Sequence, residues 1–340
     1  MDESINIEAI ISPFQKPEEA PIFAVYKILS RQYDRAEVLE YMTHFCLTSH
    51  SEENQRKGLE FLYIIGSHED CARLIKINEA SSNPLNQQWG KIYKIVLERK
   101  THYNDPNEIL MELNRIKPLS KEIHVIMLFL KLYAHVDLNQ YGKVGNDVEA
   151  IAEEMSQIRD SFLFLCYEER LDEAFFVYHF SKNELLLGRK YAFRLLNKTF
   201  NQRKKSFVHN LLAISYALDS YQQAMYHVNE SLRIAEESGD MRYLESIKNH
   251  NIPFVSALNG IYEGITTNDP SEQAHLAIAK GDIQTAINIL EPIQDRSPFQ
   301  NYYLGKAKKD KELLTKSHQA FIRQGHYLFA RIPLSELKKL

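Results

Sequence analysis

The chain is short of backbone breakers: 12 glycines and 11 prolines in 340 residues. Segments rich in Leu, Ala, Glu and Lys recur between short polar interruptions, so nearly the whole chain reads as helix and no convincing strand is found. Cysteine is scarcer still. Cys46, Cys71 and Cys166 are odd in number, widely spaced and without a CxxC pair. That pattern excludes a disulfide framework or a structural zinc site and predicts buried thiols. Neither sign of charge dominates, with 41 basic against 45 acidic residues and a net charge of −4. A dedicated nucleic-acid binder carries a basic field, so a generic DNA-binding surface is disfavoured and only a local basic patch is left open.

Long apolar runs are missing too. The most apolar stretch, 123–136 (IHVIMLFLKLYAHV), contains Lys131 and two histidines and is too short to cross a bilayer. It predicts a buried helix. The N-terminus, MDESINIEAIISPF, is acidic and lacks the basic region and apolar core of a secretory signal, so a cytoplasmic, non-membrane protein is expected.

Catalytic signatures are also absent. There is no HExxH, GxSxG or DxDxDG arrangement, and the Gly-Lys pairs at 90–91, 142–143 and 305–306 lack the spacing of a phosphate-binding loop. The 13 histidines are scattered singly; His135 and His209 read as surface or hydrogen-bonded core residues rather than as a base or ligand. Glu168, Glu169, Asp172 and Glu173 put carboxylates on neighbouring turns, which suits acid–base work, a hard metal or simply a solvated face. The basic turn Lys306, Lys308, Lys309 and Lys311 suits an acidic partner or a solvated face. The expectation is a protein with no enzymatic activity, no cofactor and no metal.

What the sequence does have is a repeat. The stretch 274–290, AHLAIAKGDIQTAINIL, matches a tetratricopeptide unit. Alanines on a first helix make room for a second, a Gly-Asp turn follows, and Gly281, Asp282, Ile283, Ala286 and Leu290 fill the turn and second-helix places in order, with alanine at the tight crossing. A second copy runs through Leu212, Ala213, Tyr216, Ser220, Tyr221, Ala224, Val228 and Ser231. A third has Leu304, Gly305, Ser317 and Phe321, and a fourth Gly188, Ala192 and Leu195. The small crossing residues at 188, 224, 286 and 317 are 36, 62 and 31 apart, against about 34 per unit. The middle gap predicts a degenerate repeat around 251–265 (NIPFVSALNGIYEGI), broken by Pro253. Upstream of about 160 the helices continue as 22–48, 51–65, 87–99, 107–114 and 123–136, without a visible period. The fold class is therefore all-α, a right-handed superhelical solenoid of tetratricopeptide-like repeats. Its parts are a segment at 1–24, divergent hairpins at 25–160 and repeats at 161–340.

A family resemblance rests on scattered strings: FARIPLSELKKL (329–340), YYLGKAKKDKE before it, SEQAH (271–275), WGKIYKIVLE (89–98) and FCL (45–47). Together they resemble the arbitrium receptor (AimR) family of Bacillus phages, from about residue 25 to the end. The resemblance implies an N-terminal helix-turn-helix, a repeat domain that binds a short secreted peptide, and a C-terminal dimerising helix. Two peptide-contacting arginines of the family fall on Arg56 and Arg203. A peptide-contacting glutamine position is Ser271 here, with Glu272 beside it, poised for a basic ligand side chain. A pair of peptide-binding asparagines aligns with Val177 and Ser181, and an acidic position with His326, so a different peptide is implied. About 20 residues precede the first matched helix, and the chain stops at Leu340, so neither a full DNA-reading head nor the terminal dimer helix is expected.

The leading reading is a phage or prophage regulator whose concave groove binds a short peptide or a partner segment, with Arg56 and Arg203 as carboxylate clamps. Arg203 heads the basic triplet Arg203, Lys204 and Lys205, which reads equally as a solvated interhelix turn. The alternative is a DNA-binding regulator with a shortened head, using Lys27, Arg31 and Arg35, four apart and so expected on one helix face. A hydrolase built on the carboxylates at 168–173 comes after both. A homodimer is left open.

Overall fold

The computed structural model describes residues 6–101 and 105–340. Among the described residues helices are the only regular structure, and no strand occurs. The chain divides into two compact units. The first comprises Met1–Leu138 with Asn146–Leu171, and the second Asn139–Gly145 with Asp172–Leu340.

In the first unit the expected helix over 22–48 is two helices, Ile22–Gln32 and Arg35–Thr48. Tyr33 is extended, and Asp34 caps the second helix by accepting the N–H groups of Ala36 (2.8 Å) and Glu37 (3.0 Å), while Glu37 accepts the Asp34 N–H at 2.9 Å. That capping box satisfies donors a continuous helix would not leave free, so the chain restarts here. Arg35 consequently opens the second helix while Lys27 and Arg31 belong to the first, and the single basic helix face expected of these three does not form.

The apolar stretch at 123–136 is the buried helix it resembles, Lys121–Asp137, with buried residues all round its circumference. At the centre of this unit lies an ion pair. Arg170 is 0 % exposed and donates from Nε and Nη2 to the two carboxylate oxygens of Glu60, both at 2.7 Å. Its guanidinium lies 4.1 Å from the centre of the Tyr63 ring, and the Tyr93 hydroxyl donates to Glu60. Burial alone would push the Arg170 pKa down, but the Glu60 carboxylate outweighs it and holds the cation charged.

The second unit carries the repeats. Helices Gln202–Tyr216 and Tyr221–Glu237 form a hairpin. Where they cross, Ser206 Oγ donates to the Ser231 carbonyl and Ser231 Oγ to the Ser206 carbonyl, each at 2.7 Å. Two serines bonding to each other's backbone need the helices in near contact, which only small side chains allow. Helix Pro270–Lys280 ends on Gly281 at φ +89°, and Asp282 caps Ile283–Leu290 through the Thr285 N–H at 3.2 Å. Ala274, Ala286 and Leu290 are buried as the repeat pattern requires, and Ile283, at the turn, is exposed. In the next hairpin, Pro298–Lys308 and Lys311–Gln324, a Cβ on Gly305 would stand 3.0 Å from the Leu314 nitrogen, so glycine sets the spacing there.

The degenerate repeat is only half present. Its first helix starts earlier than expected, at Met241–Ser246, and passes through a π turn, Ile247–Asn251, into Ile252–Leu258. The Ile252 N–H reaches back to the Ile247 carbonyl, so the wider turn carries the chain past Pro253, which has no N–H to give, without ending the helix. No second helix follows. The segment 259–269 is irregular, with Gly260 and Gly264 at positive φ.

Candidate functional site

Arg56 lies on helix Glu52–Ile65, half-buried. Its Nη1 donates to Asn86 Oδ1, and the Asn86 amide in turn donates to Asn78 Oδ1 (3.0 Å) and the Glu52 carbonyl (3.1 Å). Burial lowers the guanidinium pKa, opposed by Glu53, Glu52 and Glu122. None of these carboxylates comes within ion-pair distance, so among the described residues Arg56 is held by a neutral amide alone. Its neighbour Lys57 differs: it pairs with Asp160 at 2.6 Å and with Glu53.

The other three residues singled out from the sequence belong to the second unit. Arg203, on the first turn of Gln202–Tyr216, is exposed and pairs with Asp240 at 3.0 Å. Ser271 and Glu272 share the first turn of Pro270–Lys280 and face helix Pro298–Lys308. Ser271 Oγ accepts from Gln300 (2.8 Å), and Glu272 accepts the Tyr303 hydroxyl (2.8 Å) and lies 3.3 Å from His275 Nδ1. Glu272 is buried, and the His275 ring stacks on Tyr303 at 4.1 Å. Burial, reinforced by the Glu272 charge, holds the Tyr303 hydroxyl protonated. No hydrogen bond or ion pair joins Arg203 to Ser271 or Glu272 among the described residues.

Lys27 and Arg31 are exposed, Lys27 with its ammonium 3.9 Å from the Phe23 ring centre, and Arg35 is exposed on the following helix. The carboxylates at 172 and 173 are not a solvated face. Asp172 is buried between Arg194 (3.0 Å) and Lys198 (3.1 Å), and Glu173 pairs with Lys204 at 3.2 Å. Lys204, the middle of the basic triplet, is therefore an internal counter-ion. The lone histidines acquire partners as well: His135 Nδ1 meets buried Asp147 at 2.5 Å, and His209 Nδ1 meets His227 Nδ1 at 3.0 Å. The second pair could not be read ahead, because 18 residues and a turn separate its members and only the hairpin register aligns them.

Known proteins resemble the chain over most of its length. The sequence profile of the AimR transcriptional regulator-like family matches residues 38–339. The AimR transcriptional regulator of Bacillus phage SPbeta is 23% identical over 343 residues, covering 93% of this chain and 84% of that one. That of Bacillus phage phi3T is 21% identical over 275 residues, 76% of this chain and 70% of its own. An uncharacterized protein of Bacillus anthracis is 26% identical over 236 residues, 65% of this chain and 86% of the relative. The solved phAimR-ligand structure superposes with a TM-score of 0.79 at 18% identity, covering 95% of this chain and 98% of the other. The architecture is thus that of the helical-repeat regulators, built from tetratricopeptide-like hairpins. The chain belongs to the AimR transcriptional regulator-like family. No helix among the described residues is long and apolar enough to cross a membrane.

Proposed function

We propose that the chain is a phage or prophage regulator of arbitrium type whose state is set by a short peptide or partner segment, and that Arg56 receives a carboxylate of that ligand. The observation that carries this reading is the missing counter-ion at Arg56. A half-buried guanidinium ordinarily finds a carboxylate, because charge-assisted pairing offsets the cost of taking it out of water. Here a neutral amide holds it, with acidic side chains nearby but out of reach. An incoming carboxylate would supply the absent partner in the bidentate geometry arginine favours. Arg203 serves as a second anchor on its own unit, where a ligand carboxylate has to compete with Asp240. Ser271 offers its hydroxyl, and Glu272 acts by holding Tyr303 and His275 in place.

The test is calorimetric titration with short synthetic peptides carrying a free C-terminal carboxylate, and with the same peptides amidated. Charge-assisted hydrogen bonds contribute roughly 1.5–3 kcal/mol, so Arg56→Gln is expected to weaken binding about 10- to 100-fold with helicity unchanged. Unaltered affinity in that variant for every peptide that binds would remove Arg56 from the site.

A further inference from the structure

We infer that Asn86 is the positioning residue of the Arg56 site: it holds one corner of the guanidinium without neutralising it and leaves the Nε–Nη2 edge open for a ligand carboxylate. This rests on Arg56 being the receptor of that carboxylate and adds the residue that keeps it available.

An acid four residues before a basic side chain on a helix is a favourable partner for it. Helix Glu52–Ile65 offers two such pairs, Glu52 with Arg56 and Glu53 with Lys57, and only the second forms. Glu52 is drawn aside: Ser81 Oγ donates to its Oε1 at 3.1 Å and Asn83 Nδ2 to its Oε2 at 2.6 Å. Arg99 and Arg189, also half-buried, have their acids in Asp137 and Asp219. Arg56 has only Asn86 Oδ1, bonded to Nη1, among the described residues.

Asn86 is 0 % exposed, and its amide can stand only one way. Its Nδ2 donates to Asn78 Oδ1 at 3.0 Å and to the Glu52 carbonyl at 3.1 Å, and Asn78 is fixed in turn by donating to the Leu74 carbonyl at 2.9 Å. Turned over, Asn86 would set its oxygen against two acceptors and its NH2 against a cation. Its oxygen therefore faces Arg56 through a chain of amides anchored on helix His68–Glu79. Nε and Nη2 of Arg56 take no hydrogen bond among the described residues, and they are not closed off from solvent as Arg170 Nη1 is. That edge presents two parallel N–H groups, the arrangement a carboxylate accepts bidentately. An acid at position 86 would place a resident negative charge on the same corner, and an incoming carboxylate would then meet a neutral pair.

The test uses the full chain and phenylglyoxal, a reagent that attacks the neutral form of arginine. Adducts at Arg56 are counted by peptide mass spectrometry against exposed Arg31, with N-acetylalanine and N-acetylalaninamide as charged and uncharged competitors. Wild type should react at Arg56 and be protected by N-acetylalanine but not by the amide. Asn86→Asp, although nearly isosteric, should react about tenfold more slowly or less, because an adjacent carboxylate favours the protonated guanidinium. Asn86→Ala, the larger cut, should stay reactive but need about threefold more N-acetylalanine for half protection, since the guanidinium is no longer held in place. A merely structural role predicts the reverse order, with alanine the more disturbing change. Circular dichroism checks that each variant is folded. Wild-type reactivity in folded Asn86→Asp, with wild type still protected by N-acetylalanine, would overturn the role of Asn86 alone. Were Asn86→Asp not to fold, unchanged half protection in Asn86→Ala would overturn it. Absence of protection in wild type would overturn the carboxylate reading of Arg56 and this inference with it.

Discussion

Replacing Gly325 by alanine separates two costs that glycine avoids in this protein. Gly325 ends helix Lys311–Gln324 at φ +77°, donating its N–H to the Ile322 carbonyl. The left-handed conformation alone costs an alanine about 1–2 kcal/mol, less the few tenths to about 1 kcal/mol gained because alanine restricts the unfolded chain. A second cost is steric. A Cβ at 325 would lie 2.3 Å from the Gly142 nitrogen, 2.7 Å from the Gly142 Cα and 3.0 Å from the Tyr141 carbonyl carbon, all of them backbone atoms that cannot swing aside. Overpacking of this kind adds about 1–3 kcal/mol. Gly281 supplies the control, because its φ is +89° and nothing stands within 4 Å of a Cβ built there. Gly281→Ala should therefore lose about 1 kcal/mol, and Gly325→Ala about 2–4 kcal/mol. Urea unfolding followed by circular dichroism reads the difference, and hydrogen exchange at 139–145 should quicken in Gly325→Ala alone. Equal losses in the two variants would refute the claim that the Gly142–Gly325 approach is tight.

Two other outcomes follow from buried charge. Arg170→Met or Glu60→Gln alone should destabilise by about 3–5 kcal/mol, since each strands half of a buried pair, while the double change should recover most of the loss; additive losses in urea melts would contradict this. His326 is buried between Tyr141 and Phe329, and burial takes its pKa from 6.5 to about 3. Because the folded value lies below the unfolded one, the stabilisation is complete above about pH 6.5 and is lost as pH falls towards 3, by up to about 1.4 kcal/mol per pH unit. His326→Asn keeps an acceptor for the Phe329 N–H but cannot titrate there, so its stability should vary less steeply across that window; an identical slope would count against a buried neutral imidazole.

Much of the second unit could be read from small residues. Ala274, Gly281, Ala286, Gly305 and Ser317 occupy the crossings and turns that their size suggests, because close helix approach tolerates few side chains. The boundary at Asp34 was missed in a stretch whose composition suggests one helix, although Asp34 and Glu37 spell a capping box there. The π turn before Pro253 had no such local sign, because the widened turn depends on what packs around it. At the candidate site the sequence marks which residues carry charge but not which charges are already spoken for. Glu272 shares its carboxylate with Tyr303 and His275, and Lys204 with Glu173, while Arg56 lacks an acid. Apart from Glu272 and His275, one turn apart on the same helix, those pairings link different helices, and only the tertiary fold decides them.

The Glu60–Arg170 pair joins residues 110 positions apart. During synthesis, a nascent chain that has already made helix Glu52–Ile65 has no guanidinium for Glu60 until the ribosome releases Ser161–Ser181. The interior of the first unit can therefore close over a paired carboxylate only once about half of the 340-residue chain has been made. Until then the emerging helices must keep that acid wet, which defers collapse and guards against premature burial in the wrong register.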